Sequence, residues 1–342
     1  MTPRRSSPTL HDVAALAGVS TATVSRCLNF PDQVTVGTKR KVTEAIRAIG
    51  YAPNFGAKAM AARRTNTIGA IIPTMENAIF ARGLQAFQEE LRNHGFTMLV
   101  ASTSYRADIE EEQIRALVAR GADALLLIGH ERSAAIYDFL EAQGVPALVT
   151  WAYDRDATRP SVGFDNMAAM QNLAAKAIAM GHKRMALISA ETAHNDRAHG
   201  RHIGVRAAMA DADLCPDELL FHETTYGIES GAAAFEAVMQ LTPRPTVVFC
   251  GNDVLAVGAL RRARQLGIDV PRDVSITGFD DMELAQIAYP PLTTVHVPHR
   301  EMGRRAALAL AQMVKDGVPL ATLELPATLV MRDTLVGPLR PS

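Results

Sequence analysis

Between Thr9 and Arg26 the chain carries Ser20, Thr21, Thr23 and Ser25 as closely spaced hydroxyls, with Arg26 directly after them. Hydroxyls of this kind suit phosphate oxygens, and a guanidinium reaches either a phosphate or a guanine edge. Charge points the same way. Of the 35 Lys+Arg and 36 Asp+Glu residues, ten bases and three acids fall within residues 1–64, giving that segment +7 and the remainder, with 25 bases and 33 acids, −8. A small basic segment on an acidic body is the balance expected when the first part meets a polyanion and the second must not. A basic stretch is also compatible with a merely solvated face, so charge alone leaves both readings open.

Elsewhere the reactive residue types form no catalytic pattern. There is no G-x-x-x-x-G-K-[ST] loop and no G-x-G-x-x-G after the first strand. Gly227-Ile228-Glu229-Ser230-Gly231 lacks nucleophile-elbow spacing, and His222-Glu223 has no second His four residues on. His194, His199 and His202 cluster at irregular spacing, which suits hydrogen bonds to a polar ligand better than a metal. No metal and no cofactor is expected. Cys27, Cys215 and Cys250 are far apart and odd in number, which fits reduced thiols. Cys27 reads as a small core hydrophobe.

The elements that must position these residues are legible from periodicity. Thr9 caps a short helix over Leu10–Ala17 that Gly18 stops; Ser20 caps a second over Thr21–Leu28; a third runs over Thr38–Ile49 to Gly50. Two helices around a tight Gly turn are a helix-turn-helix, whose second helix enters a major groove. Phe55–Arg64 is Ala-rich and, at about ten residues, marginal as an isolated helix. From Thr67 the pattern becomes short apolar runs, at Ile68–Pro73, Thr97–Ala101, Ala124–Ile128, Ala147–Thr150, Arg184–Ser189, Val247–Cys250 and Ser275–Gly278. Helical stretches alternate with them at Ala78–Asn93, Ile109–Arg120, Ala134–Gln143, Met167–Met180, Ile203–Ala212, Ser230–Leu241 and Val254–Leu266. Such alternation predicts parallel sheets with helices on both faces, and the 342-residue length argues for two of them. No apolar run approaches the ~18 residues of a membrane helix and the N-terminus lacks a signal-peptide core, so a soluble, cytoplasmic protein is expected. Ligands of open α/β sheets bind at the carboxyl ends of strands.

Thr9-Leu10-His11-Asp12-Val13-Ala14, Ala17-Gly18-Val19-Ser20, Thr23-Val24-Ser25-Arg26 and Leu28-Asn29, followed by Ile49-Gly50-Tyr51-Ala52-Pro53-Asn54, closely resemble the headpiece of the LacI/GalR family of transcriptional regulators. The resemblance resumes at Val162–Asn166, Arg201–Gly204, Cys250–Asp253, Gly278–Asp281, Pro291–Val295 and Met302-Gly303. It implies a small all-α helix-turn-helix headpiece (1–53), a hinge helix and linker (54–65), and an α/β periplasmic-binding-protein-like core (66–342). That core would hold two doubly wound parallel-sheet subdomains joined by three crossovers, about 66–162 with 293–321 and about 163–292 with 322–335. By the same resemblance Thr21 and Ala22 read base edges, Thr9, Ser20, Thr23, Ser25, Arg26, Asn29, Tyr51 and Asn54 meet the DNA, and Met60 stands where the family inserts a leucine into the minor groove. The implied effector contacts are Arg201, Asn252 and Asp280, with Phe80 as an apolar wall.

One departure bears on the effector. Where many family members place a carboxylate after the fourth strand, this sequence has Trp151, its only tryptophan. With Arg201 kept and Asn195 and Arg197 just before it, the cleft becomes more receptive to an anion. Val162–Asn166 and Val297–Gly303 are most like the gluconate-utilisation repressors. The resemblance therefore implies a homodimeric DNA-binding repressor of sugar or sugar-acid uptake or catabolism genes, released from its operator by a small effector such as gluconate. Two other classes stay open at this point: a solute-binding protein, which has no use for residues 1–64, and a sugar-modifying enzyme, which needs a nucleophile or phosphate loop. A co-repressor acting through the same parts is a further alternative.

Overall fold

The computed structural model describes residues 8–52 and 64–339. They belong to two compact units that divide between Thr65 and Asn66. The first holds α1 (Leu10–Ala17), α2 (Thr21–Asn29) and α3 (Val36–Ile49). Thr9 opens α1 with a reciprocal capping box: its hydroxyl accepts the Asp12 N–H at 3.3 Å while the Asp12 carboxylate accepts the Thr9 N–H at 2.7 Å, satisfying two donors that a helix start leaves without partners. Gly18, at φ 65°, ends the helix in the left-handed region. Ser20 repeats the device on α2, accepting the Thr23 N–H at 3.1 Å. α3 starts two residues before the expected Thr38 because Thr35 serves as its cap. Val13, Val24 and Val42 are fully enclosed and, with Cys27, form the small core. The expected hinge helix, with Asn54 and Met60, lies outside the described residues.

The second unit begins with β1 (Thr67–Ile72), α4 (Ala78–Asn93), β2 (Thr97–Ser102), α5 (Ala107–Ala119), β3 (Ala124–Ile128), α6 (Ala134–Ala142), β4 (Ala147–Thr150) and β5 (Ser161–Gly163). It continues with α7 (Asn166–Ala179), β6 (Met185–Ala190), α8 (Asp196–Asp211), β7 (Leu220–Thr224), α9 (Ile228–Met239), β8 (Val247–Cys250), α10 (Asp253–Gln265), β9 (Ser275–Thr277) and α11 (Glu283–Ile287). The chain then returns through β10 (Thr294–His296), α12 (His299–Asp316), β11 (Leu323–Glu324) and β12 (Thr328–Val330). One sheet has the order β11-β5-β4-β3-β1-β2, a second β7-β6-β8-β9, and β10 pairs antiparallel with β12 as a separate two-stranded ribbon. All strand pairs in the two larger sheets are parallel. β1, β3, β6 and β8 are buried along their whole length, as strands covered by helices on both faces must be.

The lobes around the two sheets are joined three times: after β5, through β10 into α12, and after β11. The last crossing falls slightly later than the sequence suggested, because Leu323 and Glu324 still pair with Val162 and Gly163 in the first sheet. A larger correction concerns α8, which starts at Asp196 rather than Ile203. Its first two turns carry no apolar periodicity; Gly200 and Gly204 instead lie close against the backbone of α7, so packing rather than propensity sets the start. α12, which no sequence pattern was assigned, packs along α4. Gly83 and Gly303 face each other at that crossing, and the space beside Gly83 is taken by the Trp151 indole.

Candidate functional site

On α2, Thr21, Ala22 and Arg26 are exposed, Thr23 and Ser25 are half-buried, and Val24 and Cys27 turn into the core. Asn29 is its last residue. The Ser20 hydroxyl lies 2.9 Å from that of Thr23, and the Thr9 hydroxyl is held by Asp12 at 2.7 Å. Tyr51 is half-buried against the headpiece core. The outward face of α2 is therefore a hydroxyl, a methyl and a guanidinium, a set able to bond phosphates and touch base edges.

In the second unit all seven residues implied for the cleft, Phe80, Trp151, Asn195, Arg197, Arg201, Asn252 and Asp280, line one inner chamber of about 20 Å³ between the lobes. Each lies in the loop or the first two helical turns that follow a strand. Phe80 is in the first turn of α4 after β1, Trp151 follows β4, and Asp280 follows β9. Asn195 and Asn252 are the N-caps of α8 and α10; their side-chain oxygens accept the Ala198 N–H at 3.3 Å and the Leu255 N–H at 2.9 Å. With its oxygen committed to the cap, Asn252 has only its NH₂ donor left for a ligand. Arg201, in the second turn of α8, donates to Asn166 Oδ1 at 2.7 Å and to the Tyr226 hydroxyl at 3.0 Å, with its guanidinium 5.0 Å above the Phe279 ring. Arg197, though it lines the chamber, is already engaged. It donates to Asp196 at 2.7 Å and reaches the Ile128 carbonyl of the opposite lobe at 3.3 Å, while Asp196 accepts the His130 N–H at 2.5 Å. The two residues thus clasp the end of β3.

Trp151, at φ 60°, sits between Phe80 and His299, with ring centroids 5.4 and 6.1 Å away. Its indole N–H donates to His299 Nδ1 at 3.1 Å, and its carbonyl accepts from Asn166 Nδ2 at 3.0 Å. Burial, reinforced by the charge on Arg82, pushes the His299 pKa down to about 3. The ring is therefore neutral at physiological pH, and because Nδ1 accepts, the proton sits on Nε2. Nε2 is 3.7 Å from Asp280 Oδ1, too far for a hydrogen bond, and with a neutral ring the contact is not an ion pair. Burial also raises the Asp280 pKa to about 6, against the lowering pull of Arg201. Arg201 Nε, Asn252 Nδ2 and His299 Nε2 are buried donors without a hydrogen-bond partner among the described residues. Such groups are costly unless something supplies acceptors.

His299, Asn166, Tyr105 and Tyr226 belong to this site and were not read from the sequence as site residues. His299 and Asn166 lay inside the stretches that carried the resemblance; nothing local marks the two tyrosines. Of the histidine cluster, His202 stacks on Phe221 with centroids 4.0 Å apart, and His194 lies 3.5 Å from Glu131. No helix among the described residues is long and apolar enough to cross a membrane.

A helix-turn-helix unit followed by a two-lobed parallel α/β body with a polar chamber between its lobes defines a DNA-binding regulator with an effector-binding core. Residues 9–54 match the bacterial regulatory proteins of the lacI family and residues 174–335 a periplasmic binding protein-like domain. The chain belongs to the LacI family. The HTH-type transcriptional repressor PurR of Vibrio cholerae serotype O1 is 31% identical over 96% of this chain and 98% of its own. The HTH-type transcriptional regulator GntR of Escherichia coli K12 is 29% identical over 95% and 98%. The lac repressor dimer, solved on its operator with the anti-inducer ONPF, superposes with a TM-score of 0.85 at 25% identity, covering 97% of this chain and 100% of that one. The protein is thus a transcriptional repressor and not an enzyme, and the headpiece removes the solute-binding alternative. Operator DNA, a small effector in the core and a second copy of the chain are the partners in this family.

Proposed function

We propose that this repressor controls uptake or catabolism of a sugar acid, gluconate or a relative, and leaves its operator when that acid binds between the lobes. The carrying observation is the pair of buried, unpartnered donors on Arg201 and Asn252 that line one chamber with the carboxylate of Asp280. A carboxylate with neighbouring hydroxyls supplies acceptors to the donors and donors to Asp280 at once. Thr21, Ala22 and Arg26 read and grip the operator, with Thr9, Ser20, Thr23, Ser25, Asn29 and Tyr51 beside them and Asn54 and Met60 in the hinge. Two headpieces of a cytoplasmic homodimer meet an inverted-repeat site. The effector acts only through its preference for one arrangement of the lobes, so effector and operator weaken one another by the same factor.

Release of a fluorescent operator by gluconate, with sorbitol and gluconolactone as neutral counterparts, tests the reading. Gluconate releases the DNA and the neutral compounds do not; equal potency of the neutral compounds refutes the anion assignment. A compound that tightens operator binding instead makes the protein co-repressor-dependent.

A further inference from the structure

The inner chamber has room for about one water, since a water needs roughly 10–15 Å³ by this measure. Beyond it, toward the mouth of the cleft, lies an outer chamber of about 390 Å³, within the ~300–1,000 Å³ of pockets that enclose whole small ligands. The two are continuous: Asn77, Tyr105, Asn195 and Tyr226 line both. Tyr105 comes from the first lobe and Tyr226 from the second, their rings 5.7 Å apart, and the Tyr226 hydroxyl accepts from Arg201. One wall therefore runs from the buried arginine outward.

The chambers differ in chemistry. Two unpartnered donors, Arg201 Nε and Asn252 Nδ2, and Asp280 mark the inner end. The outer one is lined by the carboxylates of Glu76 and Glu191, by the hydroxyls of Thr74, Ser104, Thr224 and Thr225, and by no Lys or Arg among the described residues. Carboxylates at that end repel a second anion and accept from hydroxyls. A ligand that satisfies both chambers has its acid buried and a neutral, hydroxyl-rich portion outside, and the volume outside exceeds what the tail of a single acyclic sugar acid fills.

We propose that the outer chamber is a second subsite, and that the effector is a sugar acid bearing a further sugar unit, its carboxylate directed to Arg201 and Asn252 and its glycosyl ring held between the Tyr105–Tyr226 wall and Glu76 and Glu191. This rests on the anion reading above and adds to it the length and direction of the ligand.

The test uses the full-length protein on a fluorescent operator, with gluconate, cellobionate, maltobionate and neutral cellobiose as titrants. At least one of the glycosyl-gluconates releases the operator at a concentration tenfold or more below gluconate, and Glu191→Lys narrows that ratio severalfold, with the melting temperature followed to confirm folding. The milder Glu191→Gln shifts the ratio in the same direction by less. Gluconate as potent as both glycosyl-gluconates, no response to either, or a ratio unmoved by both Glu191 variants overturns the second subsite. Cellobiose acting as well as cellobionate, with the same sensitivity to Glu191, upholds the subsite while removing the anion reading, so the two fail separately.

Discussion

Asp280 sets function against stability, and Asp280→Asn exposes the conflict. The carboxyl is 5% exposed, and burial raises its pKa from 3.8 to about 6 even with Arg201 opposing the rise. At about 1.4 kcal/mol for each tenfold change in proton affinity, ionising it in place destabilises the fold by about 3 kcal/mol. The sign follows from linkage: between pH 4 and 6 the folded state keeps a proton that the unfolded chain releases, so stability falls as pH rises through that window and stays lower above it. An amide at this position never ionises. Asp280→Asn is therefore more stable than the native protein by up to about 3 kcal/mol at pH 8, roughly 5 °C in the melting of a unit this large, and the advantage disappears near pH 4. The same variant loses effector response, because the amide keeps one acceptor oxygen but replaces the other, and the negative charge, with an NH₂ donor, so the effector's hydroxyls lose the carboxylate that accepts from them, an instance of stability traded for activity. Thermal melts of both proteins from pH 4 to 8, with operator release at pH 7.5, decide it. A variant less stable than native at pH 8, or a difference that does not change with pH, refutes the burial argument.

Gly83→Ala drives a methyl into the Trp151 indole; the displaced ring loses His299, the protein is destabilised by about 1–3 kcal/mol, and tryptophan emission shifts to the red, whereas an unmoved spectrum contradicts the packing. Arg26→Ala weakens operator binding and, if the contact is a phosphate, flattens the log affinity against log salt slope by about one; unchanged affinity, slope and base preference place Arg26 off the DNA. Asp196→Ala unclasps β3 from α8 and leaves the His130 N–H without its acceptor, which raises the effector concentration for half-release by about tenfold, or about 1.4 kcal/mol; an unchanged titration removes the clasp from the closing of the lobes.

The headpiece was almost fully legible because its signals are local: Thr9, Ser20 and Gly18 cap and stop helices within a few residues of themselves. The same holds for the buried strands, whose apolar runs agree with their observed ends to within about two residues. What escaped depended on distant partners. The start of α8 is invisible in Asn195-Asp196-Arg197, because its support comes from α7 and from the end of β3. β7 is a half-exposed edge strand whose Leu220–Thr224 shows no strong run. α12 was legible and missed, since Met302, Ala306, Leu310 and Val314 recur at helical spacing and are all buried. At the cleft, resemblance carried the positions but not the pairings. That Asn195 and Asn252 spend their oxygens on helix caps, and that His299 rather than an acid holds the Trp151 indole, follows only from the three-dimensional arrangement.

The size of the inner chamber has a kinetic consequence. A space for about one water admits no sugar, so a ligand reaches Arg201 and Asp280 only through parted lobes, and it leaves the same way. Its observed association rate rises with concentration and then levels off at the rate of opening. Exit is timed by that opening as well. With the effector acting as the inducer proposed above, a cell whose supply of the compound ends abruptly regains repression only as fast as the lobes open, and the genes stay expressed for an interval that the free concentration of the compound no longer reports.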